Sequence, residues 1–247
     1  MALDAQTTLH ALLSQAKVIT GFTGAGISTE CGVPDFRSPG SPWLVNKPVD
    51  FSDFIRDPAL RREAWRRKFI MDDLYAGARP GRTHHALARM VKMGRMTGII
   101  TQNIDGLHQA SGIAHHQLAE LHGNGSYAAC LDCGLRHELP AIRAVFEAHD
   151  HAPMCECGGL IKSATISFGQ PVPAAVLQRA QAMTLACDLF LVLGSSLLVR
   201  PAAQLPEIAK RNGALLVILN REPTPLDGIA DLTIQGDVGA LMQPFSK

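Results

Sequence analysis

Residues 18–28 read VITGFTGAGIS, an apolar run that is followed at once by two closely spaced glycines. The apolar run is typical of a buried strand. The glycines allow the backbone to turn sharply and to approach a pyrophosphate at the start of the next helix. A complete dinucleotide-binding fingerprint would have glycine where Thr29 stands, so a simple tight turn between strand and helix remains an alternative.

Further apolar runs along the chain indicate a parallel sheet. They are apolar at both alternating positions, which is typical of strands that are covered on both faces. The predicted strands are residues 18–22, 97–101, 189–194, 215–220 and 232–234, and the predicted helices are residues 3–16, 83–93, 174–184 and 202–212. The alternation of strands with helices predicts an α/β fold with a Rossmann-like parallel sheet.

Two stretches interrupt this alternation, and both are interpreted as insertions rather than as sheet strands. Residues 34–80 contain several prolines and then a basic helical run, and residues 123–162 are polar and rich in turns. We expect the two insertions to form a smaller lobe. The predicted organisation is a Rossmann-like part of residues 1–33, 81–122 and 163–247, with a small lobe of residues 34–80 and 123–162. The basic residues of the helical insertion are expected to form a solvated face: Arg61, Arg62, Arg66, Arg67 and Lys68.

The composition excludes several classes of protein. The 247 residues are 47% hydrophobic with a net charge of +1, which excludes an intrinsically disordered chain. The balanced charge and the 5% aromatic content argue against binding of nucleic acid or of an anionic membrane. No apolar stretch approaches the roughly 20 residues that span a bilayer, and the N-terminus lacks the features of a secretory signal. We therefore expect a cytoplasmic protein.

In a reducing compartment, the six cysteines indicate metal binding or catalysis rather than disulfides. Cys130 and Cys133 are separated by two residues, and Cys155 and Cys157 follow as a second close pair. Four thiolates in two close pairs suit one tetrahedral, structural zinc ion per chain. Buried or redox-active thiols are the alternative. Cys187 is expected to lie in the core.

Small polar residues follow several predicted strands, where ligands bind in open α/β sheets. Asn103 and Asp105 lie after the second strand, and a turn in which they cap backbone groups is the alternative. His122 ends the apolar run of residues 117–121 and is a candidate general base, although the chain has 10 histidines. Asp35 and Arg37 are candidates for contacts to a ribose, and a surface ion pair is the alternative.

Taken together, these motifs closely resemble the sirtuin (Sir2) family of NAD-dependent protein-lysine deacylases, in its bacterial, catalytic-core form. The matching pieces occur in family order and cover residues 18 to about 240 of the printed sequence. They are GAGISTECGVPDFRS, TQNIDGLH, the pair HG at 122–123, the paired cysteines, SFGQ, LGSSLLVRP and VILN. The resemblance implies a Rossmann-like NAD domain with a small lobe made of a helical insertion and a zinc ribbon.

The resemblance also implies the site residues. His122 would be the general base, with Asn103 and Asp105 as its catalytic partners. The NAD contacts would be Gly24, Ala25, Gly26, Ser28, Asp35, Phe36, Arg37, Trp43, Gln102, Asn103, Ile104, Asp105, Gly194, Ser195, Ser196, Asn220, Arg221 and Val238. The acyl-lysine peptide would bind as an added strand near Phe168, Gly169, Gln170, Leu198 and Val199. The zinc ligands would be Cys130, Cys133, Cys155 and Cys157.

The activity implied is removal of an acyl group, acetyl first, from protein lysines, with release of nicotinamide and O-acyl-ADP-ribose. The expected partners are acyl-lysine proteins, and the expected state is a monomer. Two features depart from the family pattern: Gln170 stands where glutamate is usual, and Trp65 with Lys68 only poorly matches the Tyr/Arg pair of members that prefer acidic acyl groups. Attraction of an acidic acyl group by the basic residues of the helical insertion is the alternative to a solvated face. Mono-ADP-ribosyl transfer or NAD hydrolysis in the same pocket is an alternative, as is a non-catalytic NAD-binding module.

Overall fold

The structure, a computed structural model, describes residues 2–246, with side chains from residue 5 onward, so Met1 and Lys247 lie outside the described part. Its strands are β1 (Ile19–Thr23), β2 (Met96–Thr101), β3 (Leu118–Glu120), β4 (Gly123–Cys130), β5 (Arg136–Glu138), β6 (Ile161–Thr165), β7 (Leu189–Leu193), β8 (Leu215–Asn220) and β9 (Leu232–Gln235). Its helices are α1 (Ala2–Gln15), α2 (Phe51–Arg56), α3 (Pro58–Leu74), α4 (Arg82–Lys92), α5 (Leu107–Ala110), α6 (Leu139–His149), α7 (Ala174–Ala186), α8 (Gln204–Arg211) and α9 (Val238–Met242).

The main sheet has the order β3-β2-β1-β7-β8-β9, and each neighbouring pair in it is parallel. The predicted α/β class is therefore confirmed. The predicted strands and helices each overlap an observed element. Their ends differ by one or two residues, because the last hydrogen bonds with neighbouring elements, rather than the apolar pattern, determine where an element ends.

Helices cover both faces of the main sheet, and strand β7 shows how. All five of its residues are buried. Leu189, Leu191 and Leu193 point into a core shared with α1, α4 and α9, whereas Phe190 and Val192 point into a core shared with α7 and α8. Because successive side chains of a strand point to opposite faces, a strand buried on both sides is apolar at every position. Cys187 lies in the second core, as expected.

The small lobe has its own core, which confirms a lobe separate from the main sheet. Phe54 of α2 and Trp65 and Phe69 of α3 pack there against Ile142 and Phe146 of α6. Residues 123–162 add no strand to the main sheet, but they contain β4 and β5 of a second, antiparallel sheet with the order β5-β4-β6. These strands are polar because only one of their faces meets a core. Strand β6 continues to Thr165, past the boundary expected after residue 162.

Helix α3 begins at a well-formed cap, which leads to a first prediction. The carboxylate of Asp57 accepts hydrogen bonds from the backbone N–H groups of Ala59 (2.7 Å) and Leu60 (3.3 Å), and proline occupies the first helical position. We expect Asp57→Ala to lower the free energy of unfolding by about 1 kcal/mol, because those N–H groups lose their acceptor. Asp50, which precedes α2, makes no such side-chain bond. Asp50→Ala is therefore the matched control in urea unfolding, and equal losses in the two variants would contradict this account of the cap.

Candidate functional site

A cavity of about 660 Å³ lies at the edge of the main sheet where β1, β2, β7 and β8 end. The carboxyl ends of parallel strands meet at this edge, so the loops that follow them line one space. Residues of the small lobe, including Phe54, Trp65 and Lys162, line its opposite side. The cavity therefore lies between the two lobes and is large enough for a dinucleotide-sized ligand.

The glycines after β1 are required by a close approach of two loops. The N–H of Gly26 donates to the carbonyl of Gly194 (2.9 Å), and a Cβ atom built on Gly24 would lie 2.7 Å from that carbonyl oxygen. Gly194 itself has a φ of +61°. No α-helix follows the glycines directly, because residues Ala25–Ile27 and Thr29–Cys31 form two short 3-10 turns. The loop after β1 thus presents backbone groups to the cavity while it is held by the loop after β7.

Asn103 and Asp105 meet at the hydroxyl of Ser28. This hydroxyl donates to Asp105 Oδ2 (2.7 Å), and Asn103 Nδ2 donates to the carbonyl of Gly24 (3.1 Å) and to Ser28 Oγ (3.3 Å). Asp105 Oδ1 also accepts from the N–H of Leu107 (2.9 Å), which is the capping turn considered as an alternative. The capping turn is therefore present, and it leaves the second carboxylate oxygen of Asp105 held near Asn103 by the Ser28 hydroxyl. Ser28 is fully buried and lies behind the cavity wall.

His122 also lines the cavity, and its ring orientation is determined by a carbonyl. Nδ1 of His122 lies 3.0 Å from the carbonyl oxygen of Gln102, which can only accept, so Nδ1 carries the proton and Nε2 carries the lone pair. Burial lowers the pKa of His122 below its usual 6.5, and the bond to the carbonyl only partly opposes this shift. The ring is therefore neutral at pH 7, with Nε2 available to accept a proton.

The loop of residues 34–43 forms another wall. The carboxylate of Asp35 accepts from the backbone N–H groups of Arg37 (2.8 Å) and Ser38 (2.7 Å), while Arg37 Nη1 donates to Ser196 Oγ (2.9 Å). Within the described residues, the side chains of Asp35 and Arg37 form no ion pair with each other. Partial burial raises the pKa of Asp35, but the hydrogen bonds from Ser38 and Arg37 lower it by more. The pKa therefore lies below its usual value, and the carboxylate stays ionised. The rings of Phe36 and Trp43 stack with their centres 4.5 Å apart.

The far end of the cavity follows β7, β8 and β9. Ser195 Oγ accepts from Gln102 Nε2 (2.7 Å), which connects the loops after β2 and β7. Arg82 lies behind this end and binds Glu30 (2.7 Å) and Asp237 (2.9 Å). The predicted residues that line this end are Gly194, Ser195, Ser196, Asn220, Arg221 and Val238.

The predicted peptide-binding residues lie on the rim. Phe168 and Leu198 are 59% and 58% exposed, and Gln170 Oε1 accepts from the N–H of Ser167 (3.2 Å). Leu198, like Ser28, does not line the cavity, whereas every other predicted cofactor- and peptide-binding residue does.

The cavity has buried polar residues that the motifs did not indicate. Lys68 of α3 lines the cavity and binds both carboxylate oxygens of Asp72, while Tyr75 Oη donates to Asp72 Oδ1 (3.3 Å). The expectation of a solvated basic face is therefore wrong for Lys68, whose side chain is only 12% exposed. Lys162 of β6 was also missed. Because a basic residue in a polar segment normally lies in solvent, no local signal indicated that either lysine is buried, although Lys68 is the residue that poorly matches the arginine of the Tyr/Arg pair.

The four cysteines of the small lobe lie together. Their sulfur atoms all lie within 4.8 Å of one another, with Cys130 and Cys157 at 3.5 Å and Cys133 and Cys155 at 3.7 Å. Four sulfurs bound to one tetrahedral zinc ion at 2.3 Å are about 3.8 Å apart. Backbone N–H groups of Cys133 and Asp132 lower the pKa of Cys130 to about 7, which favours its thiolate. The donor set and its spacing therefore fit a structural zinc ion with no open position.

Comparison with known proteins gives a consistent result. The model of the Sir2 family matches residues 24–201. The chain is 53% identical over 235 residues to "NAD-dependent protein deacetylase 1" of Bradyrhizobium diazoefficiens, covering 95% of this chain and 92% of that protein. It is 52% identical over 235 residues to "NAD-dependent protein deacetylase" of Rhodopseudomonas palustris, with 95% and 93% covered.

Solved structures agree with these relatives. A structure described as "Sir2-p53 peptide-NAD+" superposes with a TM-score of 0.85 at 35% identity, covering 97% of this chain and 96% of that one. Another, of a Sir2 variant with a deacetylated p53 peptide and 3'-O-acetyl ADP ribose, has a TM-score of 0.86 at 34% identity, with 96% of each chain covered.

Proposed function

This chain belongs to the Sir2 family, and on that premise we infer that it is an NAD-dependent enzyme that removes acyl groups, acetyl first, from protein lysines. The observation that carries this function is the convergence of His122, Asn103 and Asp105 on one cavity that the glycine loop also lines. The curated relatives are named for the same reaction, and related structures hold NAD, acetylated peptide or an acetylated ADP-ribose.

The walls of the cavity suit NAD. The glycine loop and residues 194–196 line it, and the hydroxyls of Ser195 and Ser196, which accept hydrogen bonds from Gln102 and Arg37, can each donate one to a pyrophosphate or a ribose. Arg37 adds a positive charge, and the stacked rings of Phe36 and Trp43 add an apolar surface. Bound there, NAD supplies an ADP-ribosyl group that is transferred to the acyl oxygen as nicotinamide leaves.

We assign separate tasks to the polar residues at the centre. Asn103 and Asp105 would bind the nicotinamide ribose, and their shared bond to Ser28 keeps both side chains oriented before the substrate arrives. His122 would accept a proton from a ribose hydroxyl at Nε2, since Nδ1 is occupied by the carbonyl of Gln102. The small lobe lines the opposite side of the cavity, and shielding of the bound substrate from water there would strengthen the effect of these dipoles on a developing charge.

The acyl-lysine peptide would bind between the rim residues 167–170 and 197–201. Phe168 and Leu198 expose apolar surface there, and an extended peptide would add as a strand through backbone hydrogen bonds. Such pairing makes few demands on the sequence of the protein substrate.

A monomeric state and a cytoplasmic location are also part of this proposal. The six cysteines form no disulfide within the described residues. No described helix is both long and apolar enough to cross a membrane.

Product analysis tests the function. The protein, NAD and an acetyl-lysine peptide are expected to give equal amounts of nicotinamide, deacetylated peptide and O-acetyl-ADP-ribose by mass spectrometry. Asn103→Ala is expected to slow nicotinamide release about 100-fold, because an oriented polar group is lost from the site of developing charge. Free ADP-ribose or an ADP-ribosylated protein, without deacetylated peptide, would instead identify NAD hydrolysis or ADP-ribosyl transfer and overturn the proposal.

A further inference from the structure

The cavity wall contains one buried lysine whose charge is not balanced by a carboxylate. Lys162 is only 4% exposed, and its ammonium donates to the backbone carbonyl oxygens of Thr165 (2.6 Å) and Ser163 (3.3 Å). Within residues 2–246, this ammonium forms no ion pair. Lys68, the other buried lysine of the cavity, is bound by Asp72. Burying an ammonium without an anion is costly, so Lys162 is not explained by stability.

The two carbonyls lie where the ladder between β4 and β6 is interrupted. Thr165 pairs with Gly123, but the next pair joins Ser163 to Ala128, so residues 124–127 of β4 have only residue 164 opposite them. In a regular antiparallel ladder, alternate carbonyls of β6 would accept hydrogen bonds from β4. At this interruption, Lys162 instead binds the carbonyls on both sides of residue 164. Its ammonium therefore ties these two carbonyls together at the end of β6.

The end of β6 connects the candidate base to the peptide rim. The N–H of Ile166 donates to the carbonyl of His122 (2.7 Å). The turn of residues 167–170 follows directly, and the carbonyl of Phe168 accepts from the N–H of Phe51 of α2 (2.9 Å). Any displacement of residues 163–165 would thus move His122, the rim, or both.

We propose that Lys162 is a positioning residue for the acyl-lysine peptide: by clamping the end of β6, it keeps the rim at residues 167–170 in register with His122. This rests on the proposed deacylase function, because the rim matters only if a peptide binds there. The lysine acts through the backbone that it holds rather than through contact with the reacting atoms.

The cost of this arrangement provides a test that separates positioning from a purely structural role. Burial lowers the pKa of Lys162 to about 8, which means that the folded protein holds the charged form less favourably than the unfolded chain does. Below pH 8 the lysine is charged in both states, so its burial reduces stability there. Replacement by methionine, which has a similar length but no charge, removes that cost and also removes the clamp.

We therefore expect Lys162→Met to leave the thermal midpoint at pH 7 unchanged or higher, while the Kd for an acetyl-lysine peptide rises about 10-fold. Peptide binding is measured by calorimetry without NAD, and KM for NAD is expected to stay within about twofold. Lys162→Arg retains charge and donors and should restore most of the peptide affinity. Lys92→Met, on the exposed end of α4, controls for a lysine-to-methionine change as such.

A lower thermal midpoint with unchanged peptide affinity would overturn the proposal in favour of a structural lysine. The proposal would also be overturned if Lys162→Met kept its affinity for acetyl-lysine peptide but lost affinity for a peptide whose acyl chain ends in a carboxylate. The lysine would then bind an anion directly. If the unchanged protein does not bind acetyl-lysine peptide but the fold is intact, the proposed function fails together with this inference. Equal binding by the unchanged protein and Lys162→Met contradicts the positioning role alone.

Discussion

Replacement of His122 by alanine is expected to lower deacetylation about 1,000-fold while NAD still binds. A positioned general base contributes between about 10²- and 10⁴-fold to a rate. The ring accepts a proton only at Nε2, because the carbonyl of Gln102 occupies Nδ1, so no other atom of this side chain replaces it. The measurement is single-turnover formation of deacetylated peptide, with NAD affinity followed separately by calorimetry.

The same assay has a control and a pH signature. His116 is exposed and distant from the cavity lining, so His116→Ala should retain full activity. Burial lowers the pKa of His122 below 6.5, so its basic form dominates at pH 7, and activity should fall only when acidification passes below pH 6.5. A His122→Ala variant within tenfold of the unchanged protein would remove His122 from the role of base.

Loss of the cysteine cluster is expected to unfold the small lobe. Metal analysis should find about one zinc ion per chain, and Cys155→Ala should reduce this content to near zero. Structural zinc contributes about 10 kcal/mol or more to the folding of small domains that depend on it. Cys130 and Cys155 are also part of the core that holds Trp65 and Phe54, which line the cavity. Deacetylation should therefore be lost together with the metal.

Cys187→Ala is the matched control for this experiment. Cys187 is also buried, but it lies in the core beside β7 and is far from the cluster in the chain. Its replacement by alanine should therefore leave the zinc content at about one ion per chain. Chelation followed by circular dichroism and a thermal scan gives a second measurement that does not depend on any substitution. A folded small lobe in a protein that holds no zinc would contradict the structural role of the metal.

Much of the site could be predicted because its residues follow strands. Asn103, Asp105, His122 and Ser195 each come within a few residues of a strand end, and parallel strands bring their ends to one edge. The roles of the glycines were only partly predictable. The motif suggested an approach to phosphate, whereas the contact between Gly26 and Gly194 depends on two loops more than 160 residues apart.

Other features lay beyond local patterns. The bounds of β4 and β5 could not be read from the sequence, since a sheet with one covered face has too few apolar residues to be distinguished from a polar loop. The basic run of α3 has the pattern of a solvated face, and only the packing of the small lobe buries Lys68 beside Asp72.

The sequence alone therefore determined the fold class, the places along the chain of the strands that carry the site, the two close pairs of cysteines that could bind zinc, and the family. All of these depend on residue types at short, regular spacings, where backbone geometry leaves few alternatives. The tertiary structure alone decided that Ser28 joins Asn103 to Asp105, that Nε2 of His122 is the free nitrogen, and that Lys162 holds the end of β6. The reason is that burial and hydrogen-bond partners arise from the packing of residues that are distant in the chain or from an irregular strand, and neither leaves a periodic signal.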